Sequence, residues 1–180
     1  AMLSNTTGTE NVAVGYTSLD ANTTGSYNTA VGTDSMSANT TGQENVSMGW
    51  NSLDANTTGN YNVAIGASAL GVNTTAASNT AVGYGSLTAN TTGKTNVAVG
   101  STAMAANTTA DNNTGIGAAS MNGNTTGTRN TAVGSDSLKV NTTGNDNTAV
   151  GKGALTANTT ASNNTAVGKN ALAANTTGAN

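Results

Sequence analysis

Residues 73–89 read NTTAASNTAVGYGSLTA, and residues 90–106 read NTTGKTNVAVGSTAMAA. They are the same phrase written twice, 17 residues apart. Working outward, an Asn-Thr-Thr triplet begins at Asn5, Asn22, Asn39, Asn56, Asn73, Asn90, Asn107, Asn124, Asn141, Asn158 and Asn175, with no insertion or deletion between copies. The unit is N-T-T-[GA]-x-x-N-[TV]-[AGS]-[VIM]-G-x-x-[SA]-[LM]-x-[AVG]. Its second Asn never varies: Asn11, Asn28, Asn45, Asn62, Asn79, Asn96, Asn113, Asn130, Asn147 and Asn164. A Gly follows four residues later in every copy, from Gly15 to Gly168. Large apolar residues occupy two positions, one before that Gly (Val14 to Val167) and one after it (Leu19 to Leu172).

A disordered linker has no reason to hold an exact register over ten copies, whereas a stacked solenoid does, because each residue type sits above its own copy in the next turn. Seventeen residues are too few for helical repeats, which need about 33 or more. N-T-A-V-G is short, β-rich and bounded by Gly, so it predicts a strand; S-L-x predicts a second, shorter one. Asn-Thr-Thr-Gly predicts a corner, since Asn and Gly tolerate positive φ and the Asn side chain can bond its own backbone. The expected fold is all-β, a β-solenoid of ten 17-residue coils stacked about 4.8 Å apart into a rod about 50 Å long. Residues 5–174 hold the ten repeats, 175–180 begin an eleventh, and 1–4 precede them as a leader or cloning scar.

Strand alternation sorts the side chains into two faces. The Thr/Val and Val/Ile/Met positions share one, and the Asn, Ala and Gly positions share the other. The first set, with the later Leu/Met, is expected to fill the coil, leaving the small, flat Ala/Gly face for another chain. Two large apolar side chains per coil make a thin core against the entropy of ordering 17 residues. Assembly with sister chains, three-fold for preference, is therefore expected; a monomeric solenoid with a polar, hydrogen-bonded interior is the alternative.

The composition excludes several functions. The chain has 36 Thr, 29 Asn and 23 Gly among 180 residues, and no Pro, Cys, His or Phe. Without Cys or His there is no disulfide scaffold, zinc site or Ser-His-Asp triad. Five bases against eight acids leave no basic footprint for nucleic acid. No apolar run is long enough to insert this segment in a membrane as a helix. The acids Glu10, Asp20, Asp34, Glu44, Asp54, Asp111, Asp136 and Asp146 occupy variable positions and read as a solvated surface. No Gly-Gly pair or regular Asp suggests a calcium-binding β-roll. No enzyme, catalytic residue, metal site or cofactor is expected.

The phrase N-T-A-V-G-x-x-S-L-x-A, as in Asn79 to Ala89, resembles the head repeat of trimeric autotransporter adhesins (YadA-like), built on an N-S-V-A-I-G-x-x-S core. With N-T-T-G added it is also similar to repeats of phage tail fibres. The resemblance runs from residue 5 to residue 178, although this unit is longer around Asn-Thr-Thr than the adhesin repeat. It implies a left-handed parallel β-roll, a homotrimeric fibre, and an extracellular place on a cell surface or virion. The function expected on these grounds is that of a stiff structural segment that spaces or presents a binding tip.

Three features could do more. The second-Asn column can form a hydrogen-bonded ladder along the rod, which is a structural role. Tyr16, Trp50 and Tyr84 share one column and Tyr27 and Tyr61 another, both with a 34-residue spacing. Such stripes could bind glycan or a host surface directly; duplication of a double unit also accounts for the spacing. Thr-rich flat solenoids can also match a water lattice, which makes ice binding a further alternative. Each Asn-Thr-Thr is formally an N-glycosylation acceptor, though a turn explains it.

Overall fold

The computed structural model describes residues 1–178. It is a β-solenoid of ten parallel strands, about nine turns from first to last, with no helix among the described residues. The strands are β1 (Val12–Val14), β2 (Thr29–Val31), β3 (Val46–Met48), β4 (Val63–Ile65), β5 (Thr80–Val82), β6 (Val97–Val99), β7 (Thr114–Ile116), β8 (Thr131–Val133), β9 (Thr148–Val150) and β10 (Thr165–Val167). They form one sheet in sequence order, each residue paired with its own copy 17 positions on: Thr80 with Val97, Ala81 with Ala98, Val82 with Val99. The partial eleventh repeat is described as far as Gly178; residues 179–180 lie outside the described chain.

Each strand is three residues long because backbone reversals bound it. Two residues before it stands one in the left-handed region, such as Tyr27 at φ 60° or Glu44 at φ 55°. After it stands the invariant Gly, at φ 131° in Gly83, a conformation L side chains rarely adopt. A Cβ on Gly83 would also lie 2.6 Å from the carbonyl of Gly100 in the next coil, so glycine is required twice over.

The S-L-x segment is not the second strand that the sequence predicts. Thr17 and Leu19, like Asp34 and Met36 one coil on, sit at φ between 49° and 54°, which turns the chain at every second residue. This left-handed backbone costs about 1–2 kcal/mol per non-glycine residue. Pairing with the next coil offsets it: the Leu19 N–H donates to the Ser35 carbonyl and the Ala21 N–H to the Ser37 carbonyl, both at 3.0 Å. Nor is the positive φ where the sequence places it, in the Asn-Thr-Thr-Gly corner; none of those residues adopts it.

The two faces are the reverse of the sequence expectation. The middle strand residue points inward and is fully buried at Ala30, Ser47, Ala64, Ala81 and Ala98, while Val14, Met48, Ile65, Ile116 and Val150 point outward and are exposed. The interior is too narrow for anything else. It is filled by the stack Leu19, Met36, Leu53, Leu70, Leu87, Met104, Met121, Leu138 and Leu155, all with no exposed area. At Gly115 an added Cβ would already lie 2.9 Å from Cγ of Met104. One large apolar side chain per coil is buried, not two, and small or amide side chains supply the rest.

Two substitutions check this packing. Ala81→Val should lower stability by about 1–3 kcal/mol through overpacking, and Leu87→Ala by about 2–5 kcal/mol, both read from denaturant unfolding followed by circular dichroism. A sheet with Ala81 outward would accept the β-branched side chain at no cost.

Candidate functional site: two Asn ladders and an outer sheet face

From Gly25 to Ala161 the corner carbonyl of each coil faces inward, away from water, and two Asn side chains meet on it. On the Gly42 carbonyl, Asn28 Nδ2 donates at 2.8 Å and Asn39 Nδ2 at 3.1 Å. On the Gly59 carbonyl, Asn45 and Asn56 do the same at 2.9 and 3.0 Å. Both acceptor sites of the oxygen are thereby used.

The same side chains also tie coil to coil. In the second-Asn column, Asn45 Oδ1 accepts the backbone N–H of Asn62 at 2.9 Å, and Asn62 Oδ1 accepts that of Asn79 at 3.0 Å. This column runs as a ladder from Asn11 through Asn28, Asn45, Asn62, Asn79, Asn96, Asn113, Asn130 and Asn147 to Asn164, each amide accepting from the next Asn. The triplet Asn forms a second ladder, Asn39 Nδ2 to Asn22 Oδ1 and Asn56 Nδ2 to Asn39 Oδ1, each at 2.9 Å. In the sequence this residue reads as a turn. Its invariance, equal to that of the other column, was the signal for a ladder.

The triplet's first Thr is explained by the same geometry, since Thr23 Oγ1 donates to the Thr40 carbonyl at 3.0 Å. Asn22 through Asn158 are fully buried at this position, so these triplets are inaccessible as glycosylation acceptors in the folded chain. The Ser before the Leu/Met column is buried as well, with Ser18 Oγ donating to the Ala30 carbonyl at 3.0 Å.

The outer face of the sheet is built differently. Its two middle columns are the outward Thr/Val and Val/Ile/Met residues of the strands. Tyr16, Trp50 and Tyr84 stand on the edge that follows each strand, and Tyr27 and Tyr61 on the edge that precedes it. These five are every aromatic residue in the chain. All are between 54% and 76% exposed, so none serves the core. Tyr27, Glu44 and Val46 line an open hollow of about 530 Å³.

The charged groups stay dispersed. Among the described residues no three acids converge as a metal site would require. Arg129 grips Asp146 of the next coil through Nε at 2.7 Å and Nη2 at 2.9 Å, and Lys139 contacts Asp136 at 2.7 Å. The Arg129 hydrogen bonds hold the Asp146 carboxyl below its ordinary range, and those of Lys139 and Ser135 do the same for Asp136. These pairs are solvated and contribute little to stability.

Asn62→Ala leaves the buried Asn79 N–H without its acceptor, at a cost of about 1–3 kcal/mol, and takes one of two donors from the Ala76 carbonyl, which keeps Asn73 Nδ2. Asn62→Asp keeps the shape but buries a carboxylate beside Asn45 Oδ1 and the Ala76 carbonyl, which raises its folded pKa. Its penalty should be smallest below about pH 4, where both states are protonated, and should grow as pH rises. Thermal unfolding between pH 3 and 8 reads both variants. The chain matches no protein-family model, no curated protein and no solved structure.

Proposed function

We propose that this chain is a stiff structural segment of an extracellular adhesin or virion fibre. Three parallel copies would pack through their outer sheet faces into a rod that spaces or presents a binding tip. The observation that carries the reading is the outer face: an unbroken ten-strand surface on which Val12, Val14, Met48, Ile65, Ile116 and Val167 stand exposed. A continuous apolar strip of this kind marks an interaction surface. The interior supports a scaffold role in another way, since its fully buried Asn and Ser side chains are hydrogen-bonded to one another and to the backbone. The case for assembly thus rests on the outward Val/Ile/Met column, not on the Ala/Gly face that the sequence favours.

A second reading draws on one stretch of the same face. Thr114, Thr131, Thr148 and Thr165 succeed one another on four adjacent strands, a regular hydroxyl column of the type that can order water. Thermal hysteresis in a freezing assay would favour ice binding; its absence removes that reading.

Sedimentation equilibrium tests the main reading. The expected particle has three times the 17.4 kDa chain mass. Val82→Glu with Val99→Glu should reduce it to single chains that keep their β circular-dichroism signal. A wild-type monomer across the micromolar range overturns the proposal.

A further inference from the structure

The two edges of the outer face carry their aromatic residues out of phase. At β1 the preceding edge holds Glu10 and the following edge Tyr16; at β2 they hold Tyr27 and Thr33; at β3, Glu44 and Trp50. The alternation continues with Tyr61 and Ala67 at β4 and Ser78 and Tyr84 at β5. Each of these five levels therefore has one aromatic, and it changes side at every step. Duplication of a 34-residue unit accounts for the period in each column. It carries the phase along with the period, so what it leaves open is only why the founding pair of coils holds its two aromatics on opposite edges.

We infer that the preceding edge of one chain packs against the following edge of a second copy at the same level, in a parallel, unstaggered ring. This rests on the assembly proposed above and specifies its register. Rotation about an axis along the rod brings unlike edges together. With no stagger, each aromatic meets Glu, Thr, Ala or Ser, so every level receives one large and one smaller side chain. Slipping by one coil sets Tyr27 against Trp50 or Tyr16, crowding alternate levels and emptying those between.

Charge points to the same register. At β9 the facing edge residues are Asp146 and Lys152, of opposite sign. Either one-coil slip separates Asp146 from Lys152: in one direction Arg129 meets Lys152 while Asp146 meets Lys169, and in the other Asp146 meets the uncharged Ser135. Like charges in contact across an interface are costly and help to fix register. Antiparallel packing would join like edges and set the aromatic half against the half that has none.

The natural chain has no Cys, so introduced thiols report the seam directly. Glu44→Cys combined with Trp50→Cys places two thiols on opposite edges of one chain, separated by a strand and too far apart for an internal disulfide. Mild oxidation should give a reducible species of three chain masses on a denaturing gel, while either single variant stays uncross-linked. Asp146→Cys with Lys152→Cys should do the same, and it covers the case in which loss of Trp50 impairs folding. Stronger linking of Tyr27→Cys with Trp50→Cys, or dimers from Glu44→Cys alone, overturns the register. A trimer by sedimentation with neither same-level link overturns the seam and leaves the assembly standing. A monomer that binds a soluble neutral polysaccharide through Trp50 overturns both and assigns the aromatic stripes to glycan.

Discussion

Every coil must dispose of a carbonyl that turns inward at its corner, and the rest of the rod follows from how that is done. Only three of 17 residues per coil lie in a strand; many of the other N–H groups still pair with backbone carbonyls of the adjacent coil, but the corner carbonyl receives no backbone donor. Two Asn amides close on the corner oxygen, and each then reaches the adjacent coil. An amide suits the task because it donates and accepts from one planar group. Ser or Asp at these positions would leave a donor or an acceptor idle in a dry interior. The exact 17-residue period is a consequence, since one inserted residue would shift every amide away from its partner.

The same constraint sets the width of the coil. Two amides and one Leu or Met fill the cross-section, which leaves room for little beyond a methyl at the centre of each strand. The β-branched residues have nowhere to go but outward. A chain poor in apolar residues thus exposes many of those it has, and most of its exposed β-branched residues stand on the outer sheet face. In most small folds the apolar side chains are inside and the amides are on the surface; here hydrogen-bonded amides line the interior.

Repeat length, strand position, stacking and the ladder at Asn11 to Asn164 were legible in the sequence because each is a statement about register, which the sequence repeats ten times. The orientation of the strand was not. Alternation separates Val82 and Thr80 from Ala81 but does not say which set faces in, and hydrophobicity alone chooses Val. The decisive quantity is the space left beside Leu87, which depends on where the S-L-x turn carries it. That turn was hidden too, because a Leu at φ 50° has no signature in composition. The ladder at Asn22 to Asn158 was masked by a sufficient local explanation, the turn, which the structure shows to be half of its role.

Stability along such a rod accumulates coil by coil, since each unit touches only its neighbours. The interior is nearly the same at every level and so carries no information about position along the axis. The levels differ most on the outer face, through the five aromatics of β1 to β5 and the unlike charges at β9. A surface that served only to keep the rod soluble would have no need of such marks. In the parallel ring proposed above, an identical neighbour would present the complementary sequence of residues at every level.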